Sequence, residues 1–151
     1  MANHIKSKYS NDYGYVIPVS DPIYKYQLLG LDGTLTIAND TSLDSLEDTY
    51  GNSIFSHTKY LTGISITGCT NLHWSSTYYN FTGTQGLNTL SLKGCTGIST
   101  GSIDLTNNLA VTSIDLEDTG LGIIVPQNSE LTTLKLGSPA TISINNPKHL
   151  S

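Results

Sequence analysis

A short aliphatic pattern recurs through the second half of the chain and constrains the fold more than any other feature. Four segments carry an aliphatic residue at their first, fourth and sixth positions: 61–69, 87–95, 111–119 and 131–139. They begin at 61, 87, 111 and 131, so the spacing is 26, 24 and 20 residues. A repeat of this length is typical of solenoids, in which successive turns bury one another's apolar faces.

A second series of aliphatic pairs lies between these segments. Its members are two residues apart: Ile103/Leu105, Ile123/Val125 and Ile142/Ile144, with Tyr79/Phe81 as a weaker earlier member. Residues two apart on a strand point to the same face, so we expect each pair to point inward and its middle residue outward. The sequence predicts a mainly β fold: a parallel β-solenoid with two strands per turn and two sheets facing each other across an aliphatic core.

The chain before the regular turns has a different composition. We divide it into a tyrosine-rich N-terminal arm or cap, residues 1–27, and a solenoid domain, residues 28–151, whose regular turns begin at 61. Tyr13 and Tyr15 lie in a possible edge strand of the arm. The arm either caps the first turn, as terminal repeats require, or docks on another subunit, for which tyrosine offers an apolar body with a polar tip.

Residues 28–60 contain one degenerate turn and one excursion. Leu35 and Ile37 match the aliphatic pair of the later turns. Residues 41–47 place cap-type side chains before the spaced leucines Leu43 and Leu46, which predicts one short helix. We expect residues 38–60 to leave the solenoid and return to it at Leu61.

An aromatic insertion extends the first clear turn between Leu72 and Gly86. Insertions in repeat proteins fall on one face, often the binding face. We expect Tyr79 and Phe81 to be core residues of the second sheet. Trp74 and Tyr78 are then the candidate exposed contacts, together with Tyr13 and Tyr15 of the arm, for a protein or a sugar.

Cys69 and Cys95 occupy the same place in successive turns, where Thr119 and Pro139 follow. A small, half-polar side chain at this place can turn inward and satisfy backbone groups as the strand bends away. We expect reduced, buried thiols, with a disulfide or a metal site as the alternatives. Among outward residues, Asp115 and Lys135 are expected to be neighbours.

Charge and motifs narrow the classes of function. The net charge is −5, and the seven cations are all lysines. Nucleic-acid readers cluster basic residues and rely on arginine, so nucleic-acid binding is not expected. No apolar run reaches the length of a bilayer span, and residues 1–10 do not form a secretory signal. No metal-ligand spacing, phosphate loop or nucleophile motif is found, so we expect no cofactor and no enzyme activity.

Two resemblances follow from the repeats. The pattern L-x-x-L-x-L-x-x-C-x-x-[L/I] at 61–72 and 87–98 is similar to the cysteine-containing leucine-rich repeat, from which Thr119 and Pro139 depart. The run from Ile103 to Pro147 resembles repeat segments in large virion proteins of crAss-like tailed phages, which pair a small residue-Gly-Ile/Val-x-x-Pro crossing with a Leu-x-Leu-x-x-Pro-x-x-Ile rung. This likeness covers roughly residues 61–151 and implies a structural part of the phage tail or its attachments, without catalytic residues.

These observations define the expected function and its rivals. We expect a virion protein assembled in the host cytoplasm, with other virion proteins or copies of itself as partners. The first rival is an adhesin that binds host glycan or a receptor through the sheet face or the Trp74 loop. The second is a glycan-cleaving solenoid enzyme, which needs acids clustered on one outer face. Leu150 falls where a further turn opens, so we expect the C-terminal end to continue into more chain or to be covered by another subunit.

Overall fold

The computed structural model describes residues 33–47, 53–55, 58–74, 78–126, 129–138 and 141–144. These residues form nine strands and, within those ranges, no helix. The predicted arm, residues 1–27, lies outside the described residues. The strands are β1 (Gly33–Ala38), β2 (Leu61–Thr67), β3 (Tyr78–Asn80), β4 (Thr89–Ser91), β5 (Ser102–Asp104), β6 (Ser113–Leu116), β7 (Gly122–Val125), β8 (Thr133–Leu136) and β9 (Ile142–Ile144).

The strands form two sheets in which every paired neighbour is parallel. The first sheet has the order β1-β2-β4-β6-β8, and the second has the order β3-β5-β7-β9. From β2 onward the chain therefore alternates between the sheets, one strand at a time. The prediction of a mainly β fold with parallel strands in two sheets is confirmed.

The aliphatic pairs predicted from the repeat set the register of both sheets. In the first sheet Ile64 pairs with Leu90, Leu90 with Ile114, and Ile114 with Leu134. The degenerate pair belongs to the same column, since Leu35 pairs with Ile64. In the second sheet the corresponding column is Tyr79, Ile103, Ile123 and Ile142. This register is strongly specified, because a slip of one residue would turn every apolar side chain away from the core.

The core consists of these inward side chains. Ile66, Leu92, Leu105 and Leu116 are all at most 1% exposed. Burying one such side chain contributes roughly 1.5–3 kcal/mol relative to leaving it in water. Several such side chains per turn are therefore the main source of the favourable free energy, since the outward positions are mostly small and polar.

The helix predicted for residues 41–47 is not present, which corrects the sequence-based expectation. The Asp40 carboxylate accepts hydrogen bonds from Ser42 N at 2.9 Å and from Ser42 Oγ at 2.6 Å. Ser45 Oγ then accepts one from Glu47 N at 3.0 Å. Such local side-chain bonds compete with the helical backbone pattern, so the segment forms turns and then an antiparallel bridge between Glu47 and Ser53.

The spaced leucines of that segment nonetheless point into the protein. Leu43, Leu46, Ile54 and Phe55 are each no more than 1% exposed. Ile54 N donates to Leu46 O at 3.0 Å, which holds the two parts of the segment together. The segment packs beside β3, because Phe55 contacts the Phe81 ring and Leu46 O accepts a hydrogen bond from the Tyr79 hydroxyl.

Candidate interaction site

Trp74, the first predicted contact residue, is half-buried against the core. Its ring stacks on Tyr79, with centroids 4.9 Å apart and an interplanar angle of 7°. Its indole Nε1 is buried and has no hydrogen-bond partner among the described residues. Tyr78 lies on β3, but its side chain is outside the described part, as are Tyr13 and Tyr15 altogether. The predicted contact residues are therefore not assembled into one site by what the structure describes.

The neighbouring aromatic residues are structural, as predicted for Tyr79 and Phe81. They are 3% and 0% exposed, and their ring centroids lie 5.2 Å apart. The Tyr79 hydroxyl donates to Leu46 O at 2.6 Å and accepts from Ser53 Oγ at 2.8 Å. Tyr79 therefore joins the second sheet to the segment that contains Leu46 and Ser53.

The corner position shared by Cys69, Cys95 and Thr119 satisfies backbone carbonyls, as expected. Cys95 Sγ donates to Ile66 O at 3.2 Å, and Thr119 Oγ1 donates to Leu116 O at 2.8 Å. Both thiols are free and buried. The hydrogen bond from Cys95 lowers the pKa of Cys69 to about 7. The same contact, together with burial, raises the pKa of Cys95 well above its ordinary range.

A second polar column runs through the interior. Thr58 Oγ1 and Thr84 Oγ1 lie 2.7 Å apart, and both residues are fully buried. The Asn108 amide, 2% exposed, donates to Phe81 O and Thr84 O at 3.0 Å each. Its Oδ1 has no partner within the described residues. The column links successive corners through buried hydrogen bonds.

Charged side chains on the outside of the first sheet also form a column. Asp115 and Lys135 are register neighbours, as predicted, but Lys135 Nζ lies 3.7 Å from Glu117 Oε1. Lys93 Nζ reaches the same oxygen at 3.2 Å. This bond raises the pKa of Lys93 and lowers the pKa of Glu117. Asp104 lies on β5, in the other sheet from Asp115.

A cleft of about 650 Å³ borders this column. It runs along three successive corners and contains the carboxylates of Glu117 and Asp118. No group of three or more His, Cys, Asp and Glu side chains suited to a metal ion is found among the described residues. The cleft is lined by two acids and by the hydroxyl side chains of Thr96, Ser99, Thr119 and Ser138.

The surface formed by the last two strands, β8 and β9, differs from the earlier turns in its strand edges and in the exposure of its apolar residues. Each pairs with a neighbour on one side only, within the strands that the structure describes. Leu131, Leu134 and Leu136 are half-buried, whereas their counterparts in earlier turns are buried. Ile142 on β9 is 53% exposed. We call these four residues and the free edges of β8 and β9 the open end.

The open end carries a single charged strand residue. Lys135 projects outward between Leu134 and Leu136, and its side chain is 55% exposed. Sequence reasoning anticipated an unfinished end only from the spacing of Leu150. Its apolar and cationic residues could have been identified from Leu131, Leu134, Lys135 and Leu136, because all occupy known repeat positions.

Comparison with known proteins identifies no relative of the chain. No protein-family model, curated protein or solved structure matches the chain. In the ranges that the structure describes, no helix has the length and apolar character to cross a membrane.

Proposed function

We propose that the chain is a leucine-rich-repeat-like parallel β-solenoid and a non-enzymatic structural protein of a phage particle. The in-register aliphatic columns and the alternation between two sheets support the solenoid. The resemblance of residues 61–151 to virion repeat segments supports the place in a particle. On this proposal the protein acts through protein–protein contacts.

The open end is the observation that carries this proposal. A free sheet edge presents unpaired N–H and C=O groups and is a template for pairing with another chain. Here two such edges lie beside Leu134 and Ile142, whose burial would add apolar stabilisation. At the other edge of the first sheet, β1 also pairs on one side only among the described strands, but its inward residues Leu35 and Ile37 are 4% and 8% exposed. The inward apolar positions are thus buried on the first strand and partly exposed on the last, which suits the last strand to assembly.

The experiment is to purify particles of the virus that encodes the chain and to measure the protein by quantitative mass spectrometry. We expect a fixed copy number per particle. A viral genome encoding Leu134→Lys should yield particles depleted of the protein, because a cation replaces an apolar contact. Thr133→Lys is the matched control, since Thr133 is the adjacent, exposed strand residue, and it should leave the copy number unchanged.

Two outcomes would overturn the proposal. One is a protein that is abundant in infected cells but absent from purified particles. The other is an equal copy number for both variants when circular dichroism shows that each is folded. Either result would favour the rival function, which is an adhesin.

The rival is an adhesin that uses Trp74 to bind host glycan. Stacking on Tyr79 covers one face of the Trp74 ring, which leaves the other face for a sugar. A glycan array probed with the wild type and Trp74→Ala separates the two proposals. Glycan binding that is lost in the variant would favour the adhesin over an assembly role.

A further inference from the structure

We propose that the open end binds a parallel segment of a different protein, in which an acidic residue stands between two aliphatic residues. This inference rests on the proposed assembly function and specifies the partner's chemistry. It concerns one surface, the free edges of β8 and β9, and one class of ligand, an extended aliphatic–acidic–aliphatic strand.

The register of the first sheet determines the aliphatic positions of the partner. On its paired edge, β8 matches Ile114 with Leu134 and Leu116 with Leu136. The pairing of β1 with β2 likewise matches two aliphatic pairs, two residues apart, and the shorter pairings of β2 with β4 and of β4 with β6 each match one. A strand added in parallel to the free edge buries Leu134 and Leu136 only if it carries apolar side chains at the same two positions.

The charge of the partner follows from Lys135. Glu117 Oε1 contacts both Lys135 and Lys93, at 3.7 and 3.2 Å, so one carboxylate is shared by two ammonium groups. On the paired edge, the register neighbour of Lys135 is Asp115. An acidic residue at the same place on the free edge would complement the 55% exposed Lys135, and opposite charges on adjacent strands are favourable.

A second copy of the chain fits less well than a different protein. Head-to-tail stacking would place Lys135 beside Thr36, its register equivalent on β1, which carries no charge to complement it. Tail-to-tail stacking would bring the Lys135 side chains of both copies to one interface, where like charges disfavour pairing. The net charge of −5 also opposes self-association.

The chain itself supplies a probe of the required chemistry. Residues 111–126 contain β6 and β7, with the sequence Ile114-Asp115-Leu116 in the first strand. A fluorescein-labelled peptide of this sequence can reach the edges of both β8 and β9. Its binding to the full chain is measured by fluorescence anisotropy, beside a peptide in which the aspartate is replaced by lysine and a scrambled peptide.

We expect the aspartate peptide to bind more tightly than the lysine peptide by about fivefold, because one cross-strand pair changes from attractive to repulsive. The Lys135→Glu chain should reverse this order. Leu134→Lys should weaken both peptides by at least tenfold, whereas Thr133→Lys, at an exposed outward position, should retain the apolar contact and the preference.

The inference is overturned if no peptide binds better than the scrambled control, or if Lys135→Glu leaves the preference unchanged. A dimer in sedimentation velocity that Leu134→Lys abolishes would also overturn it, because the occupant is then a second copy. These failures differ from failure of the proposed function. If the protein is present in the particle but its open end does not bind acidic strands, only the partner chemistry is refuted. If the protein is absent from the particle, only the assembly role is refuted.

Discussion

At the residue scale, Tyr79 makes three kinds of contact that its position in the sequence alone does not reveal. Its ring contacts the rings of Trp74 and Phe81, its backbone pairs with Ile103, and its hydroxyl donates to Leu46 O. A buried tyrosine is favourable only when its hydroxyl finds a partner. The bond to Leu46 O is therefore a specific attachment between the second sheet and the turn segment that contains Leu46.

The first prediction removes this attachment. Tyr79→Phe keeps the ring but deletes the hydroxyl, so Leu46 O and Ser53 Oγ each lose a partner. We expect a loss of about 1–2 kcal/mol in the free energy of unfolding, measured by urea denaturation. Tyr60→Phe is the matched control, because Tyr60 is 55% exposed, and its effect should stay within about 0.5 kcal/mol. Equal effects would contradict the assigned role of the hydroxyl.

The second prediction concerns pH and the paired thiols. The pKa of Cys95 is raised from 9.0, so the stability it contributes is present below pH 9 and is lost as the pH rises above it. Cys69, with a lowered pKa of about 7, contributes an opposite slope between about pH 7 and pH 9, which fades above pH 9 as its thiol ionises in the unfolded chain as well. We expect the free energy of unfolding to fall by up to roughly 1.4 kcal/mol per pH unit above pH 9.

The control for the thiol prediction is a double variant, Cys69→Thr with Cys95→Thr. Threonine suits this corner, because Thr119 occupies the equivalent place and donates to Leu116 O. Lysine and tyrosine titrate alike in both proteins, so the difference between their pH profiles isolates the thiols. Superimposable profiles between pH 8 and 10.5 would show that the thiols do not titrate as described.

At the element scale, the strands are short and depend on hydrogen bonds that connect one corner to the next. Four of the nine are only three residues long: β3, β4, β5 and β9. Asn108 bridges the corners that follow β3 and β5, because its amide reaches Phe81 O and Thr84 O. Such buried bonds fix the spacing of consecutive strands where the ladders are too short to do so alone.

The third prediction tests this connection. Asn108→Ala removes one donor from each of two buried carbonyls, Phe81 O and Thr84 O, which keep only their backbone donors, and we expect a loss of about 1–2 kcal/mol in the free energy of unfolding. Asn88→Ala is the control, since the Asn88 amide also donates to a carbonyl, Ala110 O, but is exposed. Its cost should stay below about 1 kcal/mol. A reversed order would mean that burial does not govern the contribution of these bonds.

The elements were predictable to different degrees, for physical reasons. Ile114 and Leu134 could be aligned from sequence because strand alternation and the repeat together fix one register. The helix expected at Leu43 was wrong, because the Asp40 carboxylate forms a local turn that periodicity does not reveal. Trp74 was expected to be exposed, and its half-buried position depends on stacking with Tyr79, which arises only once the sheets are assembled.

At the scale of the whole molecule, the two ends of the first sheet differ. At the β1 end, the inward residues Leu35 and Ile37 are only 4% and 8% exposed. The β8 end exposes part of the same kind of core.

Lys135 illustrates what sequence could and could not predict here. Its neighbour Asp115 follows from register, but its ion pair with Glu117 depends on the reach of a long side chain to a diagonal position.

The central claim is that the aliphatic pairs lie side by side in parallel register as far as the last strands. Nuclear Overhauser measurements on the labelled protein test it directly. We predict inter-strand contacts of the parallel type linking Leu90, Ile114 and Leu134 in the first sheet, and Ile103, Ile123 and Ile142 in the second. Antiparallel contacts between these residues, helical contacts within their segments, or no contact between Ile114 and Leu134 would contradict the account.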